Sequence, residues 1–149
     1  MTGQHLTADL SGCPADGPAM TEPQALRALC RAAVQAAGLT PVGELFHRFP
    51  PPGGVTGVVL LAESHLAVHT WPERGAVTLD AYVCNVSADN SGAALQLIEQ
   101  LIAAFAPRRV QRQSCDAAAM PLRSAQGRSC LAAALPAAWP SVNASSKTE

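Results

Sequence analysis

The sequence predicts an α+β fold, a two-layer sandwich in which a mainly antiparallel sheet carries its helices on one face. Three observations predict it. Strand-like and helix-like runs follow one another in the order β-α-β-β-β-β-α-β. The four central strands are joined by segments too short for a parallel crossover, which needs roughly a dozen residues or more. Both helical runs are apolar along a single stripe, as suits a helix lying on a sheet. The other face of such a sheet needs cover, and a second subunit is one natural supplier.

The first strand is read in QHLTADL, residues 4–10, and GCPADGPAM, residues 12–20, is punctuated like a loop. A helix follows, with Thr21 as its cap and Pro23 in its first turn. Leu26, Leu29, Cys30, Ala33 and Ala37 repeat on one face before Gly38 stops it. TPVGELFHRF (40–49) is the second strand. PPPGG (50–54) is a loop in which Pro fixes φ and Gly releases it, and VTGVVLLA (55–62) is the third strand, with Ser64 at its end. HLAVHTW (65–71) continues as a strand with His65, Ala67 and His69 on one face, and AVTLDAYVC (76–84) is the next. NVSADN (85–90) is a loop with capping chemistry. The second helix sets Ala94, Ile98, Leu101, Ile102 and Phe105 on one stripe before Pro107, and RRVQRQS (108–114) is the last strand. From about Met120 Ala, Pro and Ser accumulate and periodicity disappears. One domain over residues 1–119 and a loosely ordered tail over 120–149 are therefore expected.

A chain of 149 residues is about one domain, and its 48% hydrophobic content with few aromatics implies a core of Ala, Leu and Val. Ten basic residues against eleven acidic ones, with no basic run, leave no electrostatic footprint for nucleic acid or an anionic membrane surface. The partner is expected to be small. MTGQHLTADLSG lacks the pattern of a signal peptide, and no apolar run reaches the roughly eighteen residues of a membrane span, so a cytoplasmic protein is expected. Cys13, Cys30, Cys84, Cys115 and Cys130 are odd in number and contain no CxxC pair, which argues for mostly free thiols and no structural metal site.

The segment LLAESHLAVHTWPE, residues 60–73, is out of keeping with that core. It crowds Glu63, Ser64, His65, His69 and Glu73 into an apolar, strand-like run of a chain that is only 14% charged. Polar density there is costly unless the groups satisfy one another or do chemistry. Singly, each has an ordinary explanation: a hydrogen-bonded strand His, a turn Ser, a small apolar Cys. Jointly they weigh more, because a sheet is expected to bring Ser64, His69 and Cys84 to one place, with Thr56 of GVTGV on the incoming strand.

Several chemistries use these residue types. A serine hydrolase wants a G-x-S-x-G elbow, which is missing here. A cysteine hydrolase built on Cys84 and His69 has no local signature, and a metal site at His65 and His69 has helical spacing in a strand. The remaining chemistry acts on the chain itself. In a strained turn the Ser64 hydroxyl attacks the Glu63 carbonyl and converts the amide to an ester, a neighbouring hydroxyl stabilising the oxyanion. A base removes the Ser64 α-proton, β-elimination splits the chain, and hydrolysis of the dehydroalanine leaves a pyruvoyl group. Such a carbonyl forms a Schiff base with a substrate amine and acts as an electron sink for decarboxylation.

GVTGVVLLAESHLAVHTWPE (54–73), followed by LDAYVC (79–84), closely resembles the small prokaryotic S-adenosylmethionine decarboxylase proenzymes, which are pyruvoyl-dependent. GQHLTADLSGC and FHRF resemble the same family, so the likeness spans about residues 3–84 and, more loosely, the second helix. The resemblance implies cleavage between Glu63 and Ser64 into chains 1–63 and 64–149, with Ser64 becoming the pyruvoyl group. It further implies that Thr56 stabilises the ester-forming intermediate, that His69 abstracts the α-proton, and that Cys84 protonates the substrate carbon after carbon dioxide leaves. Glu73 matches a carboxylate that binds the ribose hydroxyls. Phe49 and Trp71 are candidate adenine neighbours, with ordinary core packing as the competing explanation.

The sequence departs from the family's usual GYAAVDVFTCG at Ala76, where an aromatic is common, and at Asn85, where Gly is common; PPPGG is one residue longer than usual. These changes leave the processing residues intact. The expected activity is decarboxylation of S-adenosylmethionine for spermidine synthesis, by a homodimer of cleaved protomers with its active site near the subunit interface. Some proteins of this kind use a simple amino acid, so a pyruvoyl-dependent arginine or ornithine decarboxylase is the alternative enzyme. An unprocessed, non-catalytic paralogue that binds or regulates a partner is the alternative from another class. Loss of Ser64, His69 or Cys84 would have favoured it, and all three are present.

Overall fold

The computed structural model describes residues 2–51, 53–85 and 89–117. In chain order it contains β1 (Thr2–Ser11), α1 (Pro18–Thr21), α2 (Pro23–Ala36), β2 (Pro41–Arg48), β3 (Val55–Leu61), β4 (Ser64–Trp71), a 3-10 turn (Pro72–Arg74), β5 (Ala76–Asn85), α3 (Ser91–Phe105) and β6 (Arg109–Ala117). The strands form one sheet in the order β2-β3-β4-β5-β1-β6, antiparallel at every junction. The tight connections from β2 to β5 force a meander. The two long connections carry α2 and α3 over a single face, so the α+β two-layer arrangement read from the sequence is the one found.

Alternation decides which face is covered. Leu6, Ala8 and Leu10 of β1, Val59 and Leu61 of β3, Leu66 and Val68 of β4, and Val77, Leu79, Ala81 and Val83 of β5 are buried. They pack against Leu26, Cys30, Ala33 and Val34 of α2 and Leu97, Ile98, Leu101 and Phe105 of α3 in one core. The opposite face carries His5, Thr56, His65, His69, Asp80 and Tyr82 and, among the described residues, has no layer over it. Leu45 and Leu60 are 70% and 50% exposed there. No helix among the described residues is long and apolar enough to cross a membrane.

Local readings need three corrections. Residues 18–21, read as loop, form α1, because Pro18 and Pro23 each preset a helical φ and so open two helices in succession. Thr21 therefore ends α1, and Glu22 occupies the N-cap of α2 without a side-chain cap bond. β1 and β6 are longer than their apolar patterns, since β1 is laddered on both sides along nearly its whole length. The expected tail lies outside the described residues, as does the middle of the 85–90 loop. Among the described residues Cys13, Cys30 and Cys84 are free thiols.

Candidate active site

The site grows from the β3–β4 hairpin. Leu61 pairs with Ser64, leaving Ala62 and Glu63 as the turn. Glu63 has φ 62°, in the left-handed region that a residue with a Cβ adopts at a cost on the order of 1–3 kcal/mol. This strain sits in the residue whose carbonyl Ser64 would attack. Ser64 opens β4 rather than closing β3, and its Oγ accepts a hydrogen bond from the Cys84 backbone N–H at 3.2 Å. Ser64 and Cys84 are thus neighbours although twenty residues apart.

At the far end of the same ladder Thr56 is the direct partner of His69, and Thr56 Oγ1 lies 2.9 Å from His69 Nδ1. The His69 ring is tilted against Trp71, with centroids 6.0 Å apart. Thr56, His69, Trp71 and Glu73, with Phe49 and Pro50, line a cavity of about 520 Å³. Phe49 is half exposed and edge-on to His47, so core packing does not explain it. The wall depends on Gly54, where a Cβ would come within 1.8 Å of the Thr70 carbonyl oxygen. Buried Thr70 clamps that wall. Its Oγ1 accepts from Val55 N–H at 2.8 Å and donates to the Met20 carbonyl at 2.7 Å.

One expectation fails within the protomer. Ser64, His69 and Cys84 are not gathered in one place, because Ser64 and His69 lie five residues apart along one extended strand, about 16 Å at the rise of a β-strand. The sheet instead makes two clusters on its length, Ser64 with Cys84 and Thr56 with His69, the latter beside the cavity.

The atypical residues have local explanations. Ala76 is the cross-strand partner of Trp71, so a small side chain stands beside the indole. Asn85 braces the chain after Cys84: its Oδ1 accepts from Asn90 N–H at 2.8 Å and its Nδ2 donates to Ser91 Oγ at 3.0 Å. Asn90 Nδ2 in turn donates to the Cys84 carbonyl at 2.9 Å. The sequence reading assigned no role to Asp80 or Tyr82, nor to their partner His5. On the uncovered face His5 Nε2 is 2.9 Å from Asp80 Oδ2, and His65 Nε2 is 3.4 Å from Asp80 Oδ1. Polar residues at alternate positions of LDAYVC were the available signal. Among the described residues no group of three His, Cys, Asp or Glu could hold a metal ion.

Comparison with known proteins gives one family. The model of the S-adenosylmethionine decarboxylase family matches residues 4–117. The S-adenosylmethionine decarboxylase proenzyme of Aquifex aeolicus is 40% identical over 111 residues, 74% of this chain and 77% of that protein. The proenzyme of the same name from Pyrococcus furiosus is 36% identical over 104 residues, 70% of this chain and 73% of its own. The crystal structure of the adenosylmethionine decarboxylase from Aquifex aeolicus superposes with a TM-score of 0.70 at 35% identity, covering 83% of this chain and 97% of that one.

Proposed function

The chain belongs to the S-adenosylmethionine decarboxylase family, and on that premise we propose a proenzyme that cleaves itself between Glu63 and Ser64 and then decarboxylates S-adenosylmethionine, yielding the aminopropyl donor for spermidine. The observation that carries the self-cleavage is the left-handed Glu63 directly before a Ser that opens a strand. Ser64 Oγ attacks the Glu63 carbonyl, relieving the turn. The Thr56 hydroxyl donates to the oxyanion while His69 Nδ1–H donates to Thr56, which leaves His69 Nε2 free to take the Ser64 α-proton. β-Elimination then releases Glu63 as a carboxylate, and hydrolysis of the dehydroalanine at position 64 releases ammonia.

The pyruvoyl group made from Ser64 supplies a carbonyl that captures the substrate amine and accepts the electron pair left by the departing carboxylate. Cys84, hydrogen-bonded to position 64 through its backbone, delivers a proton to the substrate carbon. Glu73 accepts the ribose hydroxyls at the cavity, and Phe49 and Trp71 flank the adenine.

These roles require the two clusters to meet, and a homodimer supplies the contact. A two-fold axis lying between the two facing sheets and perpendicular to their strands turns the uncovered faces toward each other and reverses the strand direction, setting Ser64 and Cys84 of one protomer against the Thr56–His69 cavity of its partner, and the converse at the second site. Exposed Leu45 and Leu60 lie on the face this would cover.

Intact mass tests the reading. Chains 1–63 and 64–149 are expected, the second reacting with a carbonyl reagent and blocked to N-terminal sequencing. Labelled carbon dioxide should be released from S-adenosylmethionine and negligibly from arginine or ornithine at equal concentration. A single uncleaved chain overturns self-processing; label from an amino acid alone overturns the substrate.

A further inference from the structure

Tyr82 stands where the family's usual pattern carries Phe, and its hydroxyl is not idle. On β5 it lies two residues before Cys84, on the same, uncovered face. Gly3, the direct partner of Cys84 on β1, leaves the space the phenol uses, since a Cβ there would come within 2.6 Å of the Tyr82 oxygen. The ring is held from both sides. His65 stacks on it at 5.9 Å with 19° between planes, and His5 meets it edge-on at 6.0 Å. Both imidazoles are tethered to Asp80, at 2.9 and 3.4 Å. Asp80 Oδ1 is buried and has no hydrogen-bond partner among the described residues, with His65 Nε2 its neighbour at 3.4 Å. The groups facing the phenol are therefore His5, His65, Asp80 and Cys84. The neighbourhood of Cys84, as a hydrogen-bonding partner first and through charge second, holds the Tyr82 pKa above the ordinary phenol value.

We propose that Tyr82 is a positioning residue for the acid of the reaction: its hydroxyl, clamped between His5 and His65 on Asp80, donates to the Cys84 sulfur and fixes where the proton of that thiol is delivered. This rests on the reading of Cys84 as the acid. When the bond to the carboxylate carbon breaks, its electron pair stays on the substrate carbon and carbon dioxide departs. The Cys84 S–H proton passes to that carbon, and the sulfur is left as a thiolate that the Tyr82 O–H stabilises until solvent returns the proton. A Phe at this position packs equally well but cannot donate.

Tyr82 is the single tyrosine of the chain, so its ionisation is read directly from ultraviolet absorbance during an alkaline titration. In the uncleaved Ser64→Ala protein, adding Cys84→Ala should move the phenol midpoint down; an unchanged midpoint overturns the proposal. In the cleaved enzyme, Tyr82→Phe should keep self-cleavage and KM, lower kcat several-fold, and cause no further loss in a Cys84→Ala background, as residues acting through one another do. A fully active Cys84→Ala enzyme would overturn the reading of Cys84 itself. A crippled Cys84→Ala enzyme beside a Tyr82→Phe enzyme of wild-type kcat overturns the role of Tyr82 alone.

Discussion

Thr56 and His69 face each other across the β3–β4 ladder as direct partners, with Thr56 Oγ1 2.9 Å from His69 Nδ1. The pair sets the hydroxyl proposed to bind the oxyanion against the imidazole proposed as the base. The roles proposed for them in self-cleavage separate by substitution. Thr56→Ala should slow the appearance of the two chains by roughly a hundredfold, the cost of one oxyanion donor, with Thr56→Ser close to wild type. His69→Ala should stop later, at the ester, so that hydroxylamine splits the chain at position 64. A His69→Ala chain that resists hydroxylamine would remove the ester from the scheme.

If the two clusters meet only across a dimer, mutants that fail singly should rescue each other. In a mixed dimer of Ser64→Ala and His69→Ala chains, one of the two sites receives intact Ser64 and Cys84 from one protomer and intact Thr56 and His69 from the other. Co-expression should therefore cleave the His69→Ala chain in mixed dimers and leave the Ser64→Ala chain whole. Absence of cleavage in isolated mixed dimers would mean that the site forms within one protomer.

Glu63→Gly tests strain as a driving force. Glycine adopts φ 62° without a Cβ penalty, though it adds freedom to the unfolded chain. In the Ser64→Ala background the substitution should stabilise the precursor by about 0.5–1 kcal/mol in urea denaturation. With Ser64 restored it should slow cleavage. Faster cleavage would show that the turn does not store useful strain.

Alternation and stripe patterns made the sheet and helices legible because Leu66, Val68, Val77 and Leu79 are buried for the reason they alternate. Two things were hidden. The separation of Ser64 from His69 follows from an extended β4, and proximity in sequence offered no warning of it. Tyr82 and Asp80 looked like ordinary strand residues until pairing with β1 and β4 set His5 and His65 beside them. Asn85 was visible only as a departure; its role in bracing Asn90 and Ser91 needed the loop's geometry.

Cys30 predicts an alkaline weakness. Burial, and secondarily the charge of Glu44, push its thiol from 9.0 up to about 12. The unfolded chain thus releases this proton at lower pH than the folded one, so the contribution is complete below pH 9 and is lost as pH rises toward 12. By pH 10.5 the loss should reach about 2 kcal/mol, at 1.36 kcal/mol per pH unit. Urea midpoints across pH 8–10.5 should fall less steeply in Cys30→Ala, whose stability starts lower because a buried side chain is shortened. Equal slopes would exclude Cys30 as the source.

The substrate-binding role proposed for Glu73 can be tested at the ribose. It lies just beyond Trp71, in the 3-10 turn at the rim of the cavity that Phe49 also lines, with its carboxylate partly open to solvent. A carboxylate there suits two hydroxyl donors at once, which a nucleoside offers and a simple amino acid lacks. Glu73→Gln keeps the shape and one acceptor oxygen but loses the charge, so kcat/KM for S-adenosylmethionine should fall by about 1–3 kcal/mol, roughly five- to 150-fold. Self-cleavage should be unaffected, because Glu73 touches neither Ser64 nor the Thr56–His69 hydrogen bond. A second substrate separates ribose binding from simple charge attraction. The 2′-deoxyribose analogue should already be weak with the wild-type enzyme and should lose little more on Glu73→Gln, since the partner of the carboxylate is gone. If the mutation costs the deoxy analogue as much as the parent, Glu73 acts on the sulfonium charge rather than on the ribose.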